Sequence, residues 1–107
     1  MFERRLSYAA LSVLHAVASG VRYGFDIMDR TELPSGTVYP ALSRLERDGY
    51  VKSHWEDLRK AHGDRRPPRR YYRITAQGER ALAGALERFR TLKPIRGVTV
   101  SPSRGKA

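Results

Sequence analysis

The sequence lacks cysteine, which excludes a disulfide framework and a thiolate metal site. It also lacks an apolar run close to the roughly 18 residues that suggest a membrane span. The longest candidate, Leu11–Ala18, is interrupted by Ser12 and His15. The first residues, MFERR, are not followed by a long apolar region with a small-residue cleavage site, so we expect no secretory signal. These absences favour a soluble protein of the cytoplasm.

Residues suited to catalysis or metal binding are also scarce. The sequence has three histidines, of which His15 falls among apolar residues. His54 and His62 could form a weak metal site with Glu56 and Asp57, but their spacing matches no recurrent ligand pattern. No phosphate-binding glycine loop or nucleophile signature occurs. We therefore predict no enzyme activity, catalytic residue or cofactor, and we keep a metal site at His54 and His62 as an alternative.

The formal net charge of +10 is concentrated in the second half of the chain. Residues 1–50 are neutral in sum, whereas residues 51–75 carry a net +5 and residues 93–107 a net +4. Such a localised surplus favours a polyanionic partner that particular elements contact. The alternative is solubility charge, which applies above all to residues 93–107 because charge runs are often solvated.

The segment Pro34–Tyr50, PSGTVYPALSRLERDGY, has two faces at helical pitch. Val38, Leu42 and Leu45 form an apolar stripe on one of them. The opposite face is small, polar and cationic, with Gly36, Thr37, Pro40, Ser43, Arg44 and Arg47. This pattern predicts an amphipathic helix that packs one side on a core and presents the other side to a partner.

The predicted helix runs over Ser35–Asp48, with Ser35 as its N-cap and Gly49 as its C-terminal stop. Pro40 would then be the fifth helical residue, so that it removes one backbone hydrogen bond and crowds the carbonyl of Gly36. We expect a bent or 3₁₀-like first turn. Pro40 either shapes the end of the helix that meets the partner or is simply tolerated near a helix start.

Two helices are predicted before this segment. The first spans residues 4–18 and the second spans Tyr23–Thr31, with Gly20 and a very short strand at Val21–Arg22 between them. The first helix has its apolar residues on one face: Leu6, Ala10, Val13, Leu14 and Val17. That face is expected to pack on the core.

After the third helix the sequence period changes to that of a strand. Val51–Trp55 alternates with Trp55 inward, and Arg69–Ile74 returns as a second strand with one of its tyrosines inward. Residues 56–70 contain glycine and two prolines and are predicted as an arginine-rich loop. Three helices followed by a basic hairpin predict a mainly α fold with a small β-hairpin, a winged helix-turn-helix domain over residues 1–75.

A last helix is predicted over Ala76–Leu92, with Thr75 as its cap. Its apolar stripe extends past a three-helix core and would lie partly in water unless a second copy covers it. We therefore predict a homodimer in which residues 76–92 form the dimerisation helix. The interface is expected to contain Leu6, Leu82, Leu86, Phe89 and Leu92. Residues 93–107 lack a helical pattern and are predicted as a flexible basic tail.

Three blocks in this order resemble the PadR family of bacterial transcriptional regulators. YGFDI at Tyr23–Ile27 is similar to the start of the family's second helix, SGTVYPALSRLERDGYV at Ser35–Val51 to its recognition helix, and PPRRYYRITAQG at Pro67–Gly78 to the return strand of its wing. The resemblance covers residues 6–92 and fits the short subfamily with one C-terminal helix. Phe25 departs from it, because the family has a tyrosine there. The resemblance implies a repressor that acts as a homodimer on an inverted-repeat operator and is relieved by an effector.

The residues predicted to contact double-stranded DNA lie in the third helix and the wing. A helix start carries unsatisfied N–H groups that suit a phosphate, and the hydroxyls of Ser35 and Thr37 lie there. Arg44 can reach a guanine or a phosphate, or it can pair with Glu46 or Asp48 instead. The full set is Ser35, Gly36, Thr37, Tyr39, Pro40, Arg44, Arg65, Arg66, Arg69 and Arg70.

Other functions of the same fold also fit the sequence. One is a ligand- or metal-responsive sensor whose effector binds between subunits, where Phe89 is a better pocket candidate than Trp55, which is expected in the core. Another is a phage or plasmid regulator that acts mainly through protein contacts. Tyr39 has two possible places, either beside the major groove or packed under its helix. The sequence predicts neither the operator nor the identity of a small-molecule effector.

Overall fold

The structure is a computed structural model that describes residues 6–90. It contains, in chain order, α1 (Tyr8–Ala18), α2 (Gly24–Thr31), α3 (Ser35–Arg47), β1 (Val51–Trp55), α4 (Leu58–Gly63), β2 (Arg70–Ile74) and α5 (Ala76–Arg90). The two strands pair antiparallel, so the predicted fold class, mainly helical with a small β-hairpin, is confirmed. Leu92 and the predicted tail at residues 93–107 lie outside the described residues.

Helices α1, α2 and α3 enclose the core, which α5 and the hairpin complete. The predicted apolar stripe of α3 is confirmed, because Val38, Leu42 and Leu45 are fully buried. The largest fully buried side chains are Leu14, Ile27, Leu42, Leu45, Val13, Val38 and Val51. Since burying one such side chain stabilises the fold by about 1.5–3 kcal/mol, this cluster fixes which face of α3 points outward.

The start of α3 differs from the prediction. Its N-cap is Pro34 rather than Ser35, and no side chain caps the helix. The Pro34 carbonyl accepts hydrogen bonds from Thr37 N (2.9 Å) and Val38 N (3.0 Å). Proline suits this place because its φ of −73° lies in the range that its ring imposes and it has no N–H to leave unpaired. Ser35 is therefore the first helical residue and is exposed.

Pro40 is the sixth residue of α3, and the chain stays α-helical through it. The expected 3₁₀ segment in the first turn is not present in α3. The helix ends at Arg47, one residue before the predicted end, because Asp48 is the C-cap. Gly49 follows with φ +83°, a left-handed conformation that glycine adopts without strain.

The hairpin extends outward from the core. Tyr72 is the tyrosine that faces inward. The prediction for Trp55 is wrong: it is 62% exposed, because burial along β1 falls from Val51 outward and the last residue has no core beneath it. A bridge between Tyr23 and Tyr71 attaches the segment before α2 to β2, next to the predicted short strand.

The segment predicted as a loop contains the short helix α4, so that prediction is wrong over Leu58–Gly63. Asp57 caps α4 by accepting a hydrogen bond from Arg59 N at 2.8 Å, and Ala61 is buried beneath it. The glycine and the prolines that favour a loop lie at or after the end of α4. The wing is therefore a folded unit rather than an open connection.

Thr75 caps α5 as predicted. Its Oγ1 accepts a hydrogen bond from Gly78 N (2.9 Å) and donates one to the Gly49 carbonyl (2.6 Å). Leu82 and Ala85 bury one side of α5 in the core. Within the described part of the chain, no helix has the length and apolar character needed to cross a bilayer.

Gly78 is expected to tolerate no side chain. A Cβ there would collide with the Tyr50 carbonyl and lie 2.8 Å from Ile74 Cγ1. Gly78→Ala should therefore lower the free energy of unfolding in urea by about 1–3 kcal/mol, the usual cost of overpacking. Gly84→Ala is the matched control, because the nearest atom, Arg88 Nη1, lies 3.8 Å away. That change should stabilise α5 by up to about 1 kcal/mol through helix propensity, and equal stabilities of the two variants would contradict the close packing.

Candidate nucleic-acid interface

The predicted face of α3 points outward. The buried stripe on its opposite side prevents the helix from rotating this face into the core. The first-turn N–H groups have no intrahelical acceptors and concentrate partial positive charge. The exposed residues of this face are Ser35, Gly36, Tyr39, Pro40, Ser43, Arg44 and Arg47, and Thr37 is half-buried beside them.

Arg44 is available to a ligand. Within residues 6–90 it forms no salt bridge, so the pairing with Glu46 or Asp48 that the sequence leaves open is not adopted. Glu46 instead pairs with Arg70 of the wing, at 3.3 Å between Oε1 and Nη2. An exposed guanidinium at this place suits a guanine edge or a phosphate.

Tyr39 combines the two places that the sequence leaves open. Its ring lies against Gly24 at the start of α2, where a Cβ would come within 2.6 Å of Tyr39 Cε1. Tyr39 is nonetheless 45% exposed. Glycine is therefore required where α2 approaches α3, and Tyr39 both supports this helix pair and reaches the surface.

Sequence reasoning misses Glu56, the residue that organises the wing. Its side chain is only 3% exposed. It accepts hydrogen bonds from Arg66 Nη1 (2.7 Å) and Nη2 (2.6 Å) and from Arg69 N (3.0 Å). This bidentate pair, the Glu56–Arg66 clamp, joins the end of β1 to the residues before β2. The sequence offers one signal, an acidic residue directly after a strand in an arginine-rich segment, but that signal does not identify the partner.

The Glu56–Arg66 clamp is an ion pair. The hydrogen bond from Arg66 lowers the pKa of Glu56 to about 2, although burial alone would raise it. The backbone N–H of Arg69 lowers the pKa of Glu56 further. The same hydrogen bond to Glu56 raises the pKa of Arg66 above its ordinary value. The clamp therefore stays charged at neutral pH.

The clamp is expected to lose its contribution to stability in acid. Because the pKa of Glu56 is about 2 in the folded chain and ordinarily 4.5, the contribution is complete above pH 4.5 and is lost as the pH falls towards 2. The unfolding free energies of the wild type and Glu56→Gln should therefore converge on acidification. Asp29→Asn, which removes an exposed carboxylate of α2, is the matched control. A gap for Glu56→Gln that is constant with pH would refute this account.

The structure places Arg66 differently from its predicted role as a DNA contact. Its guanidinium is held by Glu56 and also lies 3.3 Å from Asp64 Oδ2. A phosphate that took over these bonds would leave Glu56 buried without its partner, which is costly. The geometry therefore favours a supporting role for Arg66 over direct contact with DNA.

The other predicted wing arginines have different surroundings. Arg65 is exposed, with a left-handed φ of +57° just after α4. Arg69 lies over the ring of Tyr23, with its Cζ 4.3 Å from the ring centroid. Neither of them forms a salt bridge with another described residue. Arg70 points back towards α3.

A polar link fixes the wing to α3. Arg70 donates to Ser53 Oγ at 2.8 Å and to Glu46 Oε1 at 3.3 Å, and Ser53 donates to Glu46 Oε2 at 2.7 Å. These residues come from β2, β1 and the last part of α3. The Glu46–Ser53–Arg70 link therefore holds the exposed face of α3 and the hairpin in one relative position.

The residues predicted for a dimer interface divide into two groups. Leu82 is buried in the core and Leu6 packs against the core of the same chain. Leu86 and Phe89 of α5 are 46% and 56% exposed, and with Tyr8 of α1 they line a groove of about 550 Å³. The second group thus forms an exposed apolar surface across α1 and α5.

Metal binding has no support in the geometry. Within residues 6–90, no group of three histidine or acidic side chains is placed to hold an ion. His54 stacks on Tyr71, with 5.7 Å between ring centroids, and His62 lies exposed on α4.

An exposed helix that follows a helical turn and stands beside a β-hairpin defines a winged helix-turn-helix protein. The sequence model of the transcriptional regulator PadR-like family matches residues 13–84, about two-thirds of the chain. The chain therefore belongs to this family of transcriptional regulators, a class that generally has no enzyme activity.

Solved structures share this fold. A PadR family transcription regulator from Clostridium difficile R20291 has a TM-score of 0.69 at 24% identity, over 78% of this chain and 88% of that chain. A transcriptional regulator from Clostridium thermocellum has a TM-score of 0.63 at 27% identity, over 78% and 81%. A PadR family transcriptional regulator from Eggerthella lenta DSM 2243 has a TM-score of 0.58 at 28% identity, over 73% and 70%. No curated protein matches the sequence.

Proposed function

We propose that this regulator binds duplex DNA in a sequence-specific way, as a homodimeric repressor of an inverted-repeat operator. The observation that carries the proposal is the exposed face of α3 beside a basic wing, fixed to it by the Glu46–Ser53–Arg70 link. A helix of this kind fits the major groove, and a hairpin beside it reaches the flanking backbone.

In this proposal the first turn of α3 enters the major groove. Ser35 and Thr37 offer hydroxyls, Gly36 lets the backbone come close, and the N–H groups of the first turn face a phosphate. Arg44, farther along the exposed face, forms a bidentate contact with a guanine. The phosphate contacts position the helix, and Arg44 supplies sequence preference. Tyr39 and Pro40 shape the surface between them.

The wing contacts the flanking backbone. Arg65, Arg69 and Arg70 lie near phosphates or in a narrow minor groove. Glu56 and Arg66 keep the wing folded so that these arginines hold their positions. Binding should therefore weaken as the salt concentration rises, since each neutralised phosphate adds about 0.9 to the salt slope.

A second copy covers the apolar surface of Tyr8, Leu86 and Phe89. A two-fold axis at this surface would present two α3 helices to successive major grooves. The centres of the half-sites would then lie roughly 34 Å apart, or about ten base pairs.

Selection of bound duplexes from a random pool tests the proposal. A palindromic consensus with half-sites about ten base pairs apart is expected, because a two-fold dimer reads the same sequence twice. An enriched sequence without symmetry would contradict the dimer but not the DNA contact. No preference for any duplex at low ionic strength would overturn the whole proposal.

A further inference from the structure

A second surface lies between α2, α3 and the wing, where a groove of about 880 Å³ is lined by aromatic side chains. Phe25 is 69% exposed, and Tyr39 and Trp55 are exposed beside it. Arg69 and Arg70 border the same space, and these five residues define the aromatic groove. Several large rings exposed together on one surface are typical of a binding site.

Phe25 and Trp55 keep ring faces open. Phe25 makes no ring contact with another described residue. Trp55 has the guanidinium of Arg70 near its ring, with the Cζ 5.6 Å from the centroid. Neither side chain belongs to the hydrophobic core. Both can therefore stack on a flat ligand without disturbing the fold.

The charges at the groove favour an anion. Arg69 and Arg70 face it, whereas the charge of Arg66 at its edge is balanced by Glu56. Among the described residues that line the groove, Asp26 is acidic. Open rings beside arginines are the combination that binds single-stranded nucleic acid, because bases stack on the rings and phosphates meet the guanidiniums. An acidic peptide would meet the arginines but would leave the rings without flat partners.

We propose that the aromatic groove binds an unpaired stretch of DNA, with bases stacked on Phe25 and Trp55 and phosphates at Arg69 and Arg70. Paired bases in a duplex are stacked on their neighbours, so only an unpaired strand offers open base faces. The groove opens beside the exposed face of α3. The proposal extends the proposed function, since a regulator with both surfaces would hold a duplex next to a locally melted segment.

Intrinsic fluorescence tests this proposal directly, because Trp55 is the sole tryptophan of the chain. The full chain is titrated at low ionic strength with an oligothymidylate of about twelve nucleotides, a length within the usual site size of single-strand binders. A second titration uses an abasic deoxyribose-phosphate strand of equal length. Thymidylate should quench the fluorescence saturably, whereas the abasic strand should bind several-fold more weakly and quench little.

Variants separate stacking from charge. Phe25→Leu should weaken binding of a labelled oligothymidylate, read by anisotropy, by roughly 5- to 150-fold, the range for loss of one base–aromatic stack. Leu58→Ala is the matched control, because Leu58 is an equally exposed apolar residue of the wing outside the aromatic groove. That variant should bind as the wild type does. Circular dichroism confirms that each variant is folded.

The outcomes distinguish this proposal from the proposed function. Equal binding of abasic and thymidylate strands, or no effect of Phe25→Leu, would overturn the groove proposal even if duplex selection yields a palindrome. Quenching by thymidine monophosphate at the same nucleotide concentration would also overturn it, because a free nucleotide would then be the ligand. Loss of oligothymidylate binding in Phe25→Leu, together with a failed duplex selection, would support the groove and reject the operator.

Discussion

Replacing Leu86 and Phe89 together with glutamate is expected to give a monomer that binds its operator at least about a hundredfold more weakly, because joining two binding modules commonly raises affinity by about 10²–10⁴. Both side chains are exposed beside Tyr8 at the groove between α1 and α5. Glutamates there would face their counterparts across a two-fold interface, where desolvated and unpaired charges are costly. The buried residues of α5, Leu82 and Ala85, are unchanged, so the monomer should stay folded.

Sedimentation velocity measures the oligomeric state of this variant, and duplex titration measures its affinity. Leu58→Glu is the control, because Leu58 is an exposed apolar residue of α4, away from α5. It should leave the protein dimeric. A double variant that remains dimeric would contradict an interface at α1 and α5.

Alanine at Arg65 and Arg69 is expected to weaken binding to every duplex and to lower the salt slope by about 3.6 for a dimer, since each phosphate contact contributes about 0.9. Affinity should fall by about a hundredfold or more, because hydrogen bonds to charged groups contribute about 1.5–3 kcal/mol each. The wing should remain folded. Glu56 keeps its bond from the Arg69 backbone N–H, which the substitution retains, and its pair with Arg66.

Titrations of an operator and an unrelated duplex at several salt concentrations measure this slope. Arg80→Ala combined with Arg90→Ala removes the same charge from exposed positions of α5 and should leave the slope nearly unchanged. A slope that does not change in the wing variant would exclude the wing from the DNA interface.

The recognition helix could be predicted from the sequence because its signal is local and repeated. The spacing of Val38, Leu42 and Leu45 determines which face of α3 is buried, and the exposed face follows from it. The N-cap was harder to assign, because Ser35 and Pro34 are neighbours that both suit a helix start. Only the geometry shows that the carbonyl of Pro34 closes the first turn.

The wing could be predicted only in outline, because its structure depends on contacts between distant residues. The sequence offers several arginines near Glu56, and which of them forms the clamp depends on how α4 folds the segment. Alternation along β1 assigns Trp55 to one side of the strand, but it does not show whether a core lies beneath that end of the strand. For the same reason the aromatic groove is not visible in the sequence.

The Glu46–Ser53–Arg70 link makes the helix and the hairpin behave as one rigid body. Such a body does not adapt to a half-site whose grooves are too wide or too far apart, so the double helix itself must bend or narrow to fit. Base steps that deform easily would then be preferred at positions that no side chain touches. A signal that releases the regulator would act most simply by changing the distance between the two protomers, because the shape within each protomer is already fixed.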